Sequence, residues 1–379
     1  MATGPVDSTI AFQNFHMIWR VAGRNPPQNH PGLYLAYSVV LNMIVTICIP
    51  VLVLAEVLRF QDTEALMQDM VFYVEILVTS LKFFTLWYYT DKFEIANGLL
   101  LILDKNTKSD WERAVVRQII AKANRIFTTY FWITSVVLLW SIFGALFAKE
   151  RQLLCAIWLP FDWRLSRGWF WLAFTYETLG LYLLICISVP NDCYAPMYLM
   201  ILNGHFQNLV SRIESIGNKN QTGDQAKKEL IECIRLHEII TEISNIIAPA
   251  ISKTLFLQFL IAALALGISV VNIVYFIDDL FKAGKFLTLV FVIFLHMFPC
   301  CYYGNKYSEN NGKILNALYS CHWINQDEKF KKTLIIFMEF NHATRYFWAG
   351  KIIPINLATF VSITKFAYTL VTFLNNMKN

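Results

Sequence analysis

The segment INLATFVSITKFAYTLVTFLNNM, residues 355–377, is apolar and long enough to cross a bilayer, which takes about 20 residues of helix. Polar side chains interrupt it at successive spacings of three, four, three and four. They are Ser362, Lys365, Thr369, Thr372 and Asn376. On a helix this spacing places them along one stripe. Because a polar stripe on a membrane helix turns toward water or partner helices, we predict that these residues line a pore.

The composition places the whole chain among multi-pass membrane proteins. Hydrophobic residues make up 56% of 379 positions, the mean hydropathy is +0.45, and the apolar residues occur in long blocks. Soluble domains contain roughly 45 to 50% apolar residues. The net charge of +5 arises in loops between these blocks, where basic residues anchor the chain at the membrane interface, so we expect no nucleic-acid partner. Eight scattered cysteines show no pairing pattern and predict reduced thiols.

Seven apolar blocks predict an all-α polytopic fold with seven transmembrane helices. Lys and Arg number 22 on one side of the blocks and 8 on the other, and Lys82 and Lys365 fall within blocks. Because cytoplasmic loops carry the excess of positive charge, we expect a cytoplasmic N-terminus and an extracellular C-terminus. The predicted spans are residues 33–58, 71–90, 127–148, 169–189, 255–276, 286–303 and 355–377.

The predicted cytoplasmic connections contain helices of their own. Residues 196–216 and 227–253 carry apolar side chains at helical spacing beside charges, which indicates that the fourth and fifth spans continue out of the bilayer. Polar residues 218–224 predict a turn between them, and the block 314–342 offers apolar side chains for packing. The predicted organisation is a cytoplasmic segment at 1–32, four spans at 33–204, a cytoplasmic anchor at 205–254, two spans at 255–303, an anchor helix at 304–354 and the last span at 355–377.

No motif of an enzyme or a cofactor site is present in the sequence, so we expect neither catalysis nor a cofactor. An HExx pattern begins at His237 but lacks the second histidine. His296, Cys300 and Cys301 fall near one another on the predicted sixth span. We interpret them as ordinary buried side chains rather than metal ligands, and predict no metal site.

The predicted outer halves of the second, third, fourth and sixth spans are rich in aromatic, aliphatic and small residues. Such surfaces form pockets for small apolar ligands, although aromatic stripes in membrane helices also form interface belts or helix packing. The candidate ligand-binding residues are Tyr73, Ile76, Leu77, Ser80, Trp140, Ser141, Phe143, Gly144, Phe147, Phe174, Glu177, Thr178, Tyr182, Phe286 and Val290. A ligand of about ten heavy atoms gains about 6 kcal/mol there, an affinity that suits a volatile compound.

Four ionisable residues lie at membrane depth. Glu75, Lys82 and Glu177 are expected to face the bundle interior or water. Glu177 either contacts a ligand or hydrogen bonds a nearby tyrosine or tryptophan, and we favour the structural role. Lys365 would oppose a cation pathway, so we expect it to turn toward a neighbouring helix, with tuning of the current as the alternative.

An ordered set of short motifs runs through the C-terminal third. It comprises CYYG at 301–304, ALYS at 317–320 with Trp323, LII at 334–336, AGK at 349–351, Leu357 with TF at 359–360, and Tyr368 with TFL at 372–374. Together with FQNFHMIWRVAG at 12–23 and LHEIITEI at 236–243, this set resembles the insect odorant receptor family. EFNH at 339–342 and Ala367 depart from the family pattern, which has a basic polar stretch and a serine there.

The resemblance implies a ligand-gated, non-selective cation channel in the plasma membrane of sensory neurons. An odorant-tuned subunit and a common co-receptor form its heterotetramer, surrounded by membrane lipid, and this chain lacks the long insertion of the co-receptor between the fourth and fifth spans. The implied odorant pocket lies among the second, third, fourth and sixth helices, where Ser141 and Gly144 match a small-residue pair. The last helix lines the pore, and Phe373, Asn376 and Met377 lie at the implied apolar gate.

Other membrane receptors fit the sequence less well. A gustatory-type channel subunit is the alternative, but the chain lacks the usual Thr-Tyr and terminal Gln-Phe pattern. A G-protein-coupled receptor requires an extracellular N-terminus, and its arginine triplet and Asn-Pro-x-x-Tyr motif are absent from the sequence. A transporter would show repeated halves or broken helices, and the sequence indicates neither.

Overall fold

The computed structural model describes residues 6–24, 31–59, 63–148, 151–218, 221–275 and 280–378, with the backbone alone at 63–65, 68, 274, 280–283, 285–286, 374–375 and 377–378. A short 3₁₀ turn, Ser8–Phe12, precedes the helices. In chain order these are α1 (Gln13–Val21), α2 (Pro31–Asn42), α3 (Cys48–Arg59), α4 (Thr63–Tyr88), α5 (Thr90–Lys105), α6 (Asp110–Leu146), α7 (Arg167–Ser215), α8 (Gly223–Tyr275), α9 (Leu280–Ser320), α10 (Glu328–Phe340) and α11 (Leu357–Lys378).

The all-α membrane fold predicted from the sequence is confirmed. Within the described ranges, six helical segments are long and apolar enough to cross a membrane, and the shorter apolar helix Leu357–Phe373 follows them. The six are Pro31–Arg59, Asp69–Tyr88, Asp110–Leu146, Arg167–Ser215, Gly223–Ile273 and Leu287–Ser320. These seven segments correspond in order to the seven predicted spans. The first consists of α2 and α3, which a π-helical turn at Met43–Ile47 joins.

The predicted continuation of the fourth and fifth spans as long helices is confirmed. α7 contains 49 residues and α8 contains 53, which at about 1.5 Å per residue makes each more than twice as long as the roughly 30 Å hydrocarbon core. α7 ends at Ser215 and α8 begins at Gly223, so the interval between them overlaps the predicted turn at 218–224. On which side of the membrane these extensions lie stays a prediction.

The extension of α7 forms the centre of the molecule. Every residue from Val189 to Phe206 is buried, so this part of the helix is covered on all sides, including at polar positions such as Asp192. Apolar side chains of α1, α5, α6, α8 and α9 pack around it in the largest hydrophobic cluster. An ion pair between Arg212 and Glu112, with Nε and Oε1 2.6 Å apart, joins the ends of α7 and α6 at this core.

A β-hairpin leads into the last helix. Strands β1 (Trp348–Ala349) and β2 (Ile353–Pro354) pair antiparallel, and Gly350 and Lys351 take positive φ angles of 61° at the turn. A side chain at Gly350 would meet the ring of Phe256 at 2.5 Å. The AGK motif therefore marks a tight turn against α8, which the predicted all-helical anchor did not include.

Candidate ligand cavity and pore-lining helix

An apolar cavity of about 190 Å³ lies among α4, α6, α7, α8 and α9. Its volume is close to that of an apolar cavity of about 150 Å³ that holds one benzene molecule. The cavity therefore suits a compound of one ring or a short chain. Its apolar wall includes Val71, Ile76, Val137, Leu138, Leu181, Leu184, Ile185, Ile261, Ala262, Ala265, Leu289, Val292 and Ile293.

Each of the five helices presents one face to the cavity. On every helix four lining residues recur at positions i, i+3, i+4 and i+7, the spacing of neighbours along one helical face. The five series begin at Phe72 on α4, Thr134 on α6, Leu181 on α7, Gln258 on α8 and Leu289 on α9. The cavity is thus the space enclosed where one face from each of the five helices meets the others.

The loop between α6 and α7 folds back over one end of the cavity, where Leu154 and Cys155 join its lining. The carboxylate of Glu177 accepts hydrogen bonds from the backbone N–H groups of these two residues, at 2.8 and 2.7 Å. The hydroxyl of Tyr73 donates to the carbonyl oxygen of Ala156 at 2.7 Å. Because a buried carboxylate needs donors to replace water, the favoured structural role of Glu177 fits its surroundings, with backbone amides in place of an aromatic partner.

Polar side chains occupy another part of the cavity wall. We call Glu75, Lys82, Ser188, Asp192, Gln258 and His296 the polar cluster. Lys82 Nζ lies 2.7 Å from Asp192 Oδ1 and also donates to Gln258 Oε1. Asp192 Oδ2 accepts a hydrogen bond from Ser188 at 3.0 Å and lies 3.7 Å from His296 Nδ1. Glu75, Ser188, Gln258 and His296 line the cavity, so its surface combines a long apolar wall with one charged and hydrogen-bonding region.

The candidate pocket residues divide between the cavity and other places. Ile76 and Ser141 line the cavity, whereas Tyr73 and Glu177 hold the loop. Phe174 packs on Phe170 in a separate cluster. The exposed members are Trp140, Phe143, Phe147 and Tyr182. Leu77, Ser80, Gly144, Thr178 and Val290 belong to the cavity helices but do not line the cavity. The side chain of Phe286 lies outside the described part of the chain.

Helix phase explains why neighbouring positions differ. Successive residues of a helix point about 100° apart, so Ile76 faces the cavity while Leu77 does not. The missed lining residues are more often aliphatic than aromatic. The i, i+3, i+4, i+7 series through Thr134, Val137 and Ser141 is the signal that would have found the correct face of α6.

The polar stripe of α11 faces away from its own subunit. Ser362, Lys365, Thr369 and Asn376 are exposed, Thr372 is half-buried, and Phe373 is 59% exposed. The opposite face packs inward, where Thr359 and Ala367 are buried. The side chain of Met377 lies outside the described residues.

Lys365 does not pack against a neighbouring helix within the described part of its own chain, and its predicted turn toward a neighbouring helix stays a prediction. Its side chain is exposed together with the rest of the stripe. The hydroxyl of Thr369 donates to the Lys365 carbonyl at 2.9 Å, and the hydroxyl of Ser362 donates to the Ala358 carbonyl at 2.9 Å. These bonds leave the helix backbone intact while the polar side chains lie on the open face.

Comparison with known proteins gives consistent matches. The family model described as 7tm Odorant receptor matches residues 62–368. Odorant receptor 33a of Drosophila melanogaster is 24% identical over 369 residues, which cover 97% of each chain. Odorant receptor 2a of the same organism is 26% identical over 377 residues, 95% of each chain.

Solved structures share the fold. The insect olfactory receptor OR5 from Machilis hrabei has a TM-score of 0.81 at 12% identity, with 96% of this chain and 97% of that one covered. The same receptor in complex with eugenol has a TM-score of 0.82, with 97% of both chains covered. At this identity the likeness establishes the seven-helix membrane fold.

Proposed function

Since this chain belongs to the 7tm odorant receptor family, we propose that it is the odorant-tuned subunit of a ligand-gated, non-selective cation channel. It is a multi-pass membrane protein and not an enzyme. In the proposal it resides in the plasma membrane of sensory neurons, with a cytoplasmic N-terminus, and assembles with a common co-receptor into a heterotetramer. The compact turn between α7 and α8 supports a tuning subunit, because the co-receptor is expected to carry a long insertion there.

The ligand in this proposal is a small volatile compound with an apolar or aromatic body. The cavity of about 190 Å³ supports this ligand class, because a cavity of this volume with a mainly aliphatic wall accommodates about one ring. OR5 from Machilis hrabei, which shares this fold, forms a complex with eugenol, a small aromatic compound. Ile76 and Ser141 are the proposed contacts that also line the cavity.

The observation that carries the channel proposal is the exposed polar stripe of α11. Ser362, Lys365 and Thr369 are exposed on a helix that is otherwise apolar. Polar side chains on a membrane helix face water or protein, and the rest of their own subunit lies on the opposite side. A water-filled pore between subunits satisfies both conditions. Phe373, Asn376 and Met377 then form the proposed gate near the end of this helix.

Contacts of α9 and α8 with α11 provide a physical link between cavity and pore. On α9, the cavity residue Ile293 is followed by Phe294, whose ring lies 5.9 Å from that of Phe360 on α11. On α8, Gly267 lies against Leu370 of α11. A ligand that binds one arrangement of these helices better shifts the population toward it. A hundredfold shift requires about 2.7 kcal/mol of differential affinity.

Expression with and without an insect co-receptor tests the proposal. Cells carrying both chains, one chain or neither are exposed to a panel of small volatiles while membrane current is recorded. We expect at least one volatile to open a cation conductance in cells with both chains. Surface-labelled complexes that stay silent toward the whole panel would refute the channel function.

A further inference from the structure

The polar cluster has hydrogen-bonding capacity that the protein itself leaves unused. Among the residues that the structure describes, neither Oε1 of Glu75 nor Nε2 of His296 has a hydrogen-bond partner. Both residues line the cavity, and His296 is only 8% exposed. A buried polar atom without a partner has lost its hydration and gained no bond in exchange. A ligand that brings a hydrogen-bonding group to this part of the wall recovers that cost.

The charges of the cluster show which group fits. The ammonium of Lys82 lies 2.7 Å from Asp192 and also donates to Gln258, so one carboxylate already compensates its charge. Asp192 Oδ2 lies 3.7 Å from Nδ1 of His296, which leaves the other imidazole nitrogen available. Among the described residues, Oε1 of Glu75 is therefore an acceptor that the cluster leaves without a donor.

We propose that this cavity selects small neutral ligands that carry one hydroxyl group on an apolar body, such as an alkanol or a phenol. The hydroxyl donates to the carboxylate of Glu75 and shares a hydrogen bond with Nε2 of His296. This inference rests on the proposed function and names the ligand class of the same cavity. A hydroxyl both donates and accepts, so it fits the imidazole nitrogen in either tautomer. Its bond to a carboxylate is charge-assisted and about twice as strong as a neutral hydrogen bond.

Cationic occupants fit the cluster less well. Atoms of Glu75, Asp192 and His296 lie within 4.8 Å of one another, a spacing that a metal ion could use. The Lys82 ammonium is already 2.7 Å from Asp192. A divalent cation or a ligand ammonium at Asp192 would therefore meet a like charge beside that carboxylate. An ammonium also loses its own hydration in an apolar cavity. A neutral hydroxyl avoids both costs.

The test compares ligands that share one skeleton and differ in one group. Cells that express this chain with an insect co-receptor receive benzyl alcohol, benzyl methyl ether and benzylamine, then 1-hexanol, methyl hexyl ether and hexylamine. The half-maximal concentration for current is measured for each. We expect each alcohol to act at a concentration at least about tenfold below that of its ether, and each amine to be weaker than its alcohol.

Variants of Glu75 locate the source of this preference. Glu75→Met removes the acceptor and is expected to bring the ratio of half-maximal concentrations, ether to alcohol, to about one. Glu75→Gln keeps a neutral amide acceptor and gives an intermediate ratio. Ile261→Val changes the apolar wall, and as the matched control it shifts alcohol and ether together. Antibody labelling of the cell surface normalises the currents of all variants.

The outcomes separate this inference from the function on which it rests. A wild-type ether-to-alcohol ratio near one, or an amine more potent than its alcohol, overturns the hydroxyl preference and leaves the channel intact. Because this ratio is measured first in the wild-type complex, the result does not depend on the folding of any variant. Silence of the wild-type complex toward a broad volatile panel contradicts the proposed channel itself.

Discussion

The Nζ atom of Lys82 lies 2.7 Å from Oδ1 of Asp192, and the two side chains are 2% and 4% exposed. This pair joins α4 to α7 beside the cavity. Charges at this depth are tolerated because they compensate each other and because Gln258 adds a further acceptor for the ammonium. Loss of one member leaves the other charge buried without compensation.

Replacement of Lys82 by Met is expected to destabilise the folded chain by about 3 to 5 kcal/mol, the cost of breaking a buried ion pair from one side. The double variant Lys82→Met with Asp192→Leu removes both charges and should recover most of the loss. Thermal unfolding of detergent-solubilised protein measures the difference. Lys365→Met, at an exposed position, is the control, and equal melting temperatures for it and Lys82→Met would contradict the prediction.

Filling the cavity should abolish ligand sensitivity. Val137 lines the cavity, whereas its neighbour Val136 is 58% exposed on the outer side of α6. Because a phenylalanine ring occupies much of a cavity of about 190 Å³, we expect Val137→Phe to raise the half-maximal ligand concentration at least about tenfold. Val136→Phe adds the same ring on the exposed side of α6 and should change the half-maximal ligand concentration by no more than about twofold. Indistinguishable dose–response curves for the two variants would show that ligands bind elsewhere.

Glu177 is expected to hold the loop over the cavity. Leu154 and Cys155 donate their backbone N–H groups to its carboxylate, and Cys155 is 5% exposed. Glu177→Leu removes both acceptors, so Cys155 should react with a membrane-impermeant maleimide applied outside the cell at a rate at least about tenfold higher. Thr178→Val is the matched control. Unchanged labelling of Cys155 in intact cells would contradict either the role of Glu177 or the extracellular position of this loop.

Lys365 should influence ion permeation if the polar stripe lines the pore. Its side chain is exposed on the same face as Ser362 and Thr369. A positive charge beside a pore repels cations, so Lys365→Gln is expected to raise the permeability of Ca²⁺ relative to Na⁺. Reversal potentials in bi-ionic solutions measure this ratio. Thr364→Ser, on the half-buried side of α11, serves as the control. An identical ratio for wild type and Lys365→Gln would exclude Lys365 from the pore wall.

The seven membrane segments were predictable because apolar blocks and charged loops encode them directly, whereas α5 and the part of α6 before residue 127 were not predicted. The helical spacing of apolar residues in 196–216 and 227–253 correctly predicted that α7 and α8 extend beyond their spans. The orientation of each helix about its axis was not predictable in the same way. Ile76 and Leu77 are both aliphatic, and only the packing of five helices determines that Ile76 lines the cavity.

The polar cluster depends on contacts distant in sequence. Asp192 lies beyond the predicted end of the fourth span at residue 189, so its pairing with Lys82, 110 positions earlier, left no local signal. The loop over the cavity was equally hidden, because Glu177 bonds backbone groups that any sequence provides. The sequence shows directly which side chains are apolar, but it carries little information about which backbone amides need a buried acceptor.

Current in an excised, outside-out membrane patch is the measurement that tests the central claim most directly. The patch contains this chain and an insect co-receptor, and the solutions lack nucleotides. Because ligand binding and pore belong to one complex, we predict that a volatile active on whole cells opens single channels in the patch, and that Val137→Phe removes these openings while Val136→Phe keeps them. Openings that require added GTP or ATP, or that persist unchanged in Val137→Phe, would contradict the account.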